Sequence, residues 1–225
     1  MCTIYLSHNY RRELYEIMKT RDRILEKSQE LFNKNGIGKV SVRSICEEVE
    51  ISLGNFTYHF PDKHKIVIEL YHKMISEIEA VKDKVSATSE SIVYLLEYHR
   101  LVFIIQNSYK FFFLNTFELV NQSHEIKEAY LAHVKKEKMM MKQLLQSYSK
   151  NGVLKQGTDL PFMDKLININ LMVNSFWIID AELHFKGNEK KKLLHYLALC
   201  CSMIEPYLTK RALEEYQSFF GAIEL

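Results

Sequence analysis

Side chains with the geometry for reading a base edge are concentrated in one short stretch, residues 41–63. Asn55 carries an amide that can pair with an adenine edge, and Arg43 carries a planar fork suited to guanine or to phosphate. Thr57 offers a hydroxyl and a methyl group, and Gly54 permits close approach of the backbone to a ligand. These residue types together predict a surface that reads DNA sequence.

A second set of residues in this stretch is suited to positioning the protein on DNA. Hydroxyl and ammonium groups donate to phosphate oxygens, which fixes the register on the duplex without distinguishing its sequence. We predict this role for Ser41, Ser52, Tyr58 and Lys63. Taken singly, each would be an ordinary solvated residue. The complete predicted set of DNA-contacting residues is Ser41, Arg43, Ser52, Leu53, Gly54, Asn55, Thr57, Tyr58, His59 and Lys63.

Three helices would position these side chains. Apolar residues at helical spacing between Ile24 and Phe32 predict a first helix, with Thr20 as its N-cap and Asn35-Gly36 at its end. Ser41 precedes a two-turn apolar stripe and predicts a second, short helix.

A third short helix follows a tight turn. Ser52 is its predicted N-cap, Phe56 and Phe60 are its predicted inward residues, and Pro61 prevents its continuation. Two short helices joined by a tight turn form a helix-turn-helix.

The rest of the chain also has helical periodicity, with short breaks that favour antiparallel neighbours. Only 7 Gly and 3 Pro occur, too few for the many turns of a sandwich or barrel. We predict an all-α protein of about nine to ten helices: an N-terminal three-helix DNA-binding domain with a helix-turn-helix, then a larger helical regulatory and dimerisation domain. The further predicted helices are 63–84, 90–106, 108–119, 124–150, 161–186, 189–208 and 210–221.

The N-terminal pattern resembles the DNA-binding domain of the TetR family, also called TetR/AcrR. The resemblance lies in TRDRILEKSQELF (20–32), SVRSIC (41–46) and ISLGNFTYHFPDK (51–63), about a fifth of the chain. It implies a ligand-responsive regulator, more commonly a repressor, that acts as a homodimer on a palindromic double-stranded operator. It also implies a domain division into an extension (1–19), a DNA-binding domain (20–66) and a helical ligand-binding and dimerisation domain (67–225).

Two residues depart from the family pattern. The turn before the reading helix usually has Gly where this chain has Glu50, so a residue with a side chain must adopt the turn conformation at some cost. The family often has Tyr at the position of Thr57, whereas here the aromatic residue is Tyr58. Both departures leave open an alternative, a helical interaction or ligand-binding protein that has lost DNA binding.

The resemblance implies that the last two long helices form the dimer; the alternative is that their apolar stripes pack only within one subunit. It also implies an effector pocket for a small apolar molecule, in a region where any one large apolar residue is more often ordinary core or dimer interface. The candidate dimer residues are Leu166, Ile169, Val173, Phe176, Leu194, Leu197, Cys201 and Ile204. The candidate pocket residues are Phe103, Phe111, Phe117, Met140, Met172 and Trp177.

The role of residues 1–19 has two interpretations. Arg11 and Arg12 could form an arm that touches DNA, whereas the stripe of Tyr10, Leu14 and neighbouring apolar residues favours bracing of the first helix.

Other classes of protein are disfavoured. No phosphate loop, GxSxG or HExxH motif occurs, so we predict no enzyme and no cofactor. Asp180 and His184 could hold a metal, but pairs of this kind are more often surface ion pairs, so no metal is predicted. No signal or spanning segment is evident, which predicts a cytoplasmic protein without membrane contact. The cysteine spacing predicts reduced structural thiols at Cys2, Cys46, Cys200 and Cys201.

Overall fold

The computed structural model describes residues 19–85, 90–157 and 160–223. Within these ranges the chain forms α-helices, two short 3-10 helices and no strand, which confirms the predicted all-α class. The helices are α1 (Thr20–Asn35), α2 (Val42–Val49), α3 (Leu53–His59), α4 (Lys63–Glu79), α5 (Val81–Lys84), α6 (Ile92–Ser108), α7 (Lys110–Leu114), α8 (Thr116–Gln122), α9 (His124–Lys150), α10 (Leu160–His184), α11 (Glu189–Ser202) and α12 (Lys210–Ala222), with 3-10 turns at Ile37–Lys39 and Glu205–Tyr207. The predicted extension lies outside the described residues except for Lys19, and so does Cys2.

Contacts divide the described chain into two compact units, residues 19–71 and 72–223. The division falls within α4, shortly after the predicted boundary at residue 66. No helix in the described ranges is both long enough and apolar enough to span a bilayer.

The first unit is a three-helix core formed by inward residues at the predicted spacing. Ile24 on α1, Ile45 and Val49 on α2, and Phe56 and Phe60 around α3 are fully buried. Truncation of such a phenylalanine to alanine costs about 3–5 kcal/mol in a well-packed core. Burial of one face of each helix therefore fixes which residues of α2 and α3 face solvent.

The turn between α2 and α3 is made by Glu50. Its backbone lies in the left-handed region, at φ 59° and ψ 49°, and it is the single non-glycine residue with positive φ in the described ranges. Its N–H donates to the carbonyls of Cys46 and Glu47, which ends α2. The prediction that a residue with a side chain makes this turn is confirmed.

Several predicted helix boundaries are wrong, for local reasons. Thr20 is the first helical residue and Lys19 the N-cap, which lacks a side-chain cap bond. The predicted helix 63–84 breaks at Ala80, and the predicted helix 108–119 divides at Asn115. The predicted helix 189–208 ends at Ser202, before a 3-10 turn whose proline has no N–H to donate.

The second unit packs α6 against α11 and α12, and α10 against α7, α9 and α11. At the contact of α6 with α10, the rings of Phe103 and Trp177 stack with centroids 4.8 Å apart and planes 2° from parallel. The indole Nε1 of Trp177 donates to Gln106 Oε1 at 2.6 Å, which satisfies both buried polar groups. Cys46, Cys200 and Cys201 are buried free thiols, as predicted.

Candidate DNA-binding and effector sites

Helix α3 presents an almost fully exposed face beside its buried one. Leu53 is 60% exposed and Tyr58 is 84% exposed, while Asn55 and Thr57 are also exposed. Most of the surface of both side chains is therefore available for contact with another molecule. The face therefore has the side chains of a contact surface, and the α2 residue Arg43 is exposed as well.

Serine hydroxyls set the starts of both short helices. Ser41 Oγ accepts from the N–H of Ser44 at 3.0 Å, and the Ser44 hydroxyl accepts in return from the N–H of Ser41, which completes a capping box. Ser52 Oγ accepts from the N–H of Asn55 at 3.2 Å. Both predicted N-caps are confirmed, and both serines are exposed at helix N-termini, where phosphate oxygens bind favourably.

Gly54 has no structural reason to be glycine. Its φ is not positive, and a β-carbon there would meet only Ser52 Oγ, at 3.9 Å. Glycine within a helix costs about 0.5–1 kcal/mol relative to alanine. Packing within the described unit therefore does not account for glycine at this position.

Other predicted DNA-contacting side chains also have partners within the chain. The Thr57 hydroxyl donates to the carbonyls of Leu53 and Gly54, so the Thr57 methyl group is more available than its proton. Arg43 Nε pairs with Glu47 at 3.2 Å on the surface, an interaction that solvent weakens. The ring of His59 lies edge-on to that of Tyr58, with centroids 5.0 Å apart.

Lys63 has a structural role that the sequence did not predict. Its ammonium group donates to the carbonyls of Ile37 and Val40, each at 2.7 Å, and so holds the 3-10 turn between α1 and α2. An ammonium has three N–H donors, so one remains for the phosphate contact, which stays a prediction.

The six candidate pocket residues differ widely in burial. Phe103, Phe111 and Trp177 are buried, at 1%, 1% and 2% exposure, whereas Phe117 and Met172 are 84% and 58% exposed. Phe103 and Trp177 fill the core by stacking on each other.

A separate cavity of about 40 Å³ lies between α6, α9, α10 and α11. Sequence reasoning missed it. The sequence signal that could have revealed this cavity is the occurrence of two polar residues, His99 and Asn170, at inward positions of apolar helices. The cavity is lined by Leu95, His99, Met141, Leu145, Leu166, Ile167, Asn170, Cys200, Cys201, Met203 and Ile204.

The candidate dimer residues differ in burial. Leu197, Cys201 and Ile204 are buried within the chain, so they contribute to its own core. Ile169 and Phe176 on α10 are exposed at 42% and 58%, and Leu166, Val173 and Leu194 are half-buried. Of the candidate dimer residues, the exposed ones on α10 remain available for contact with a second subunit.

The suggested metal pair lies on the surface. Asp180 Oδ1 and His184 Nε2 are 3.8 Å apart, one turn apart on α10, and both side chains are more than half exposed. The other carboxylate oxygen of Asp180 accepts from the Tyr196 hydroxyl at 2.5 Å. Within the described ranges, no three His, Cys, Asp or Glu side chains cluster as metal ligands do.

The exposed helix α3 has a serine N-cap and is joined to α2 by a tight turn, within a three-helix unit that precedes a helical bundle. This arrangement defines a helix-turn-helix protein of the DNA-binding class. Two family models match the chain. The one described as "Bacterial regulatory proteins, tetR family" matches residues 24–70, and the one described as "TetR: Bacterial transcriptional repressor" matches residues 70–216. The chain belongs to the TetR family of bacterial transcriptional regulators.

Individual proteins resemble this chain in sequence or in fold. The HTH-type transcriptional regulator UidR of Escherichia coli K12 is 36% identical over 52 residues, which span 23% of this chain and 26% of UidR. A TetR-family regulator from Marinobacter aquaeolei VT8 has the same fold, with a TM-score of 0.82, 21% identity and coverage of 92% of this chain and 100% of that one. A transcriptional regulator from Saccharomonospora viridis in complex with choline has a TM-score of 0.70 and 17% identity, over 84% and 98% of the two chains.

Proposed function

We propose that this protein is a ligand-responsive repressor that binds a palindromic operator as a homodimer, with α3 of each subunit in the major groove. The DNA-binding units of the two subunits, related by a two-fold axis, would read half-sites about 34 Å apart, one turn of DNA. The single observation that carries the proposal is the exposed face of α3, where Gly54 leaves room for a close approach that nothing within the unit uses.

The reading roles follow from side-chain chemistry. Asn55 and Arg43 would contact base edges, and Leu53 and the Thr57 methyl group would contact thymine methyls. Ser41, Ser52, Tyr58 and Lys63 would hold phosphates, with His59 beside them at the end of α3. Loss of a base contact should relax the sequence specificity of binding at that position, whereas loss of a phosphate contact should reduce the salt dependence of binding.

The substitution Gly54→Ala tests the groove contact directly. Alanine should stabilise the unit by about 0.5–1 kcal/mol because it favours the helix. It should also weaken operator binding, because a methyl group intrudes between α3 and DNA. The control is Gly38→Ala, at an open position outside α2 and α3. If Gly54→Ala raises stability and leaves affinity unchanged, the proposed approach of α3 to DNA is wrong.

Mobility shift on DNA upstream of the gene, at two salt concentrations, tests sequence reading. Asn55→Ala and Arg43→Ala should each lose about 1–3 kcal/mol of discrimination at one base position. Absent or salt-insensitive binding by the native chain would favour the alternative, a bundle that has lost DNA binding. The departure at Glu50 does not by itself favour that alternative, because the turn forms with glutamate in place.

The proposed dimer surface is the α10 face, defined as Ile169, Met172, Phe176 and Leu183. These side chains are 42% to 72% exposed and recur at intervals of three, four and seven residues, so they follow one side of the helix. A contiguous row of large apolar side chains is unfavourable in water and marks an interaction surface. In a two-fold arrangement, each α10 face would cover the other.

Phe176→Asp tests this surface, with Leu131→Asp on α9 as the matched control because Leu131 is 51% exposed outside the α10 face. Sedimentation should show monomers for Phe176→Asp and dimers for the control. Operator affinity should fall in Phe176→Asp alone, since one head then binds without the other. A dimer that survives Phe176→Asp would place the interface elsewhere.

The regulatory step would be a population shift. One conformation of the dimer would space its two DNA-binding units to match the operator, and the other would not. A ligand that binds the second conformation more tightly lowers operator affinity, and its differential affinity for the two conformations sets the size of the effect. We therefore expect a small, mostly apolar effector to release the protein from its operator.

A further inference from the structure

Helix α3 is anchored in its unit by two aromatic side chains. Phe56, within the helix, and Phe60, its C-cap residue, are both fully buried, and their ring centroids lie 6.3 Å apart. The neighbouring residues Asn55 and Thr57 are exposed. Because two fixed points determine the direction of a short helix, the position of Phe60 sets the angle at which α3 presents its exposed face.

Arg21, on α1, covers the ring of Phe60. Its guanidinium carbon lies 5.1 Å from the ring centroid, within the range of a cation–π contact. The same guanidinium donates through Nη2 to Glu69 Oε2 on α4. We call these two contacts the Arg21 link. Within the first unit, the Arg21 link joins α1, the end of α3 and α4 at one point.

The chemistry of arginine suits both contacts at once. A planar guanidinium can stack on an aromatic face while its N–H groups donate to a carboxylate, whereas an ammonium is a compact charge on a flexible stem. The side chains of Arg21 and Glu69 are 44% and 21% exposed, so water weakens their attraction without removing it. The carboxylate therefore orients the guanidinium, and the guanidinium in turn covers one face of Phe60.

We propose that Arg21 is a positioning residue for DNA recognition: through Phe60 it holds α3 at the angle that the operator requires, and Glu69 holds Arg21 in place. The inference rests on the proposed function, because it gives the angle of α3 a role in DNA binding. Arg21 precedes residue 24, where the family model of the DNA-binding domain begins to match, so membership of the family does not by itself assign Arg21 a role.

The expected effect follows from the narrow tolerance of base contacts. Recognition side chains must lie within about 0.5 Å and 10–20° of the productive geometry. A variant in which α3 keeps this angle for about one-fifth of the time binds about fivefold more weakly, because apparent affinity scales with the competent fraction. The cap at Ser52 and both buried phenylalanines remain in such a variant. Operator affinity should therefore fall with little change in melting temperature.

The substitution Glu69→Met gives the sharpest test, because two explanations predict opposite signs. It removes a negative charge from the DNA-binding unit, which by electrostatics alone should strengthen operator binding. Loss of the Arg21 link should instead weaken binding about fivefold. The control Glu48→Met removes the same charge from the exposed surface of α2 and should not weaken binding.

Substitutions of Arg21 test whether the two residues act together. Arg21→Ala should weaken operator binding at least as much as Glu69→Met, whereas Lys34→Ala, at an exposed position near the other end of α1, should have a smaller effect. The double variant Arg21→Ala, Glu69→Met should bind no more weakly than Arg21→Ala alone, because both substitutions break the same link. Additive losses would mean that Glu69 acts on DNA binding without Arg21, and would overturn the proposal.

Arg21→Lys separates positioning from a direct phosphate contact. Lysine keeps the positive charge but loses the planar stacking on Phe60. Positioning predicts that Arg21→Lys binds more weakly than the native chain, and that log affinity against log salt keeps its native slope in Arg21→Ala. Native affinity for Arg21→Lys, with a slope reduced by about 1 in Arg21→Ala, would identify a phosphate contact and overturn the proposal.

Amide hydrogen exchange of the DNA-free chain gives a second readout, taken from peptides that cover residues 53–60. Loss of the Arg21 link should speed exchange there about fivefold in Arg21→Ala and Glu69→Met, because α3 leaves its native position more often. Exchange in α2 (Val42–Val49) should stay at the native rate. Melting temperatures establish that each variant is folded.

The outcomes separate this inference from the proposed function. If the native chain binds its operator and Glu69→Met binds as well or better, the positioning role is wrong while the DNA-binding proposal stands. Faster exchange together with native operator affinity would also overturn it, since the angle of α3 would then not matter for binding. A native chain that binds no DNA would refute the proposed function, and the exchange of residues 53–60 alone would then decide whether Arg21 holds α3.

Discussion

Substitution of Glu50 tests how the helix-turn-helix is stabilised. Its φ of 59° and ψ of 49° place a residue with a β-carbon in the left-handed region, at a cost of about 1–2 kcal/mol. Glycine would avoid this cost but would lose about 0.5–1 kcal/mol through the greater freedom of the unfolded chain. Glu50→Gly should therefore raise the free energy of unfolding by about 0.5–1 kcal/mol.

The assay is urea denaturation followed by circular dichroism, with thermal melting alongside. A gain of 1 kcal/mol corresponds to a rise in Tm of about 2–4 °C for a chain of this size. The control Glu50→Ala removes the carboxylate but keeps the β-carbon, so it should show no gain. Removal of a negative charge near DNA should strengthen operator binding about equally in both variants.

Two results would refute this reasoning. If Glu50→Ala stabilises as much as Glu50→Gly, the relevant effect is charge and not backbone conformation. If Glu50→Gly stabilises the chain but operator affinity falls below that of Glu50→Ala, the side chain at this turn helps to set the angle between α2 and α3.

Three further predictions concern polar groups that form hydrogen bonds within the two units. Lys63→Met should lower the free energy of unfolding by about 2–3 kcal/mol in urea titration, because two carbonyls lose a charged donor. Burial lowers the pKa of His99, so the unfolded chain takes up this proton first, and stability should decrease as the pH falls below 6.5; the decrease should be smaller in His99→Gln. Trp177→Phe should cost about 1–3 kcal/mol, since it leaves Gln106 Oε1 buried without its donor.

Each of these has a result that would contradict it. A Lys63→Met variant of native stability would mean that the two carbonyls are satisfied by water. An identical pH profile for His99→Gln would assign the acid sensitivity to other groups, of which His133 is one because burial lowers its pKa too. A Trp177→Phe, Gln106→Leu double variant as unstable as Trp177→Phe alone would assign the cost to lost ring stacking.

The helix-turn-helix could be predicted from the sequence because the residues that specify it lie close together along the chain. Ser41 and Ser52 stand one residue before their helices, and Pro61 ends the second of them. The spacing of Phe56 and Phe60 then decides which side of α3 is buried. Each of these effects acts within a few residues of chain, so the residue types alone specify it.

The burial of side chains in the helical bundle could not be predicted in this way. Between residues 95 and 180 the helices carry large apolar residues on most sides, so periodicity does not show which face is inward. Phe103 and Phe117 have the same chemistry, yet one is 1% exposed and the other 84%. Only the packing of the helices against one another distinguishes core from surface here.

Sequence by itself determined the all-α class, the helix-turn-helix and the chemistry of its exposed face, because these follow from propensity, capping and spacing along the chain. Tertiary structure decided the bonds of Lys63 to carbonyls 23 and 26 residues away, and the meeting of His99 with Asn170 across 71 residues. Such contacts depend on how helices distant in sequence pack together, and that packing is set by the summed fit of many side chains rather than by any local pattern.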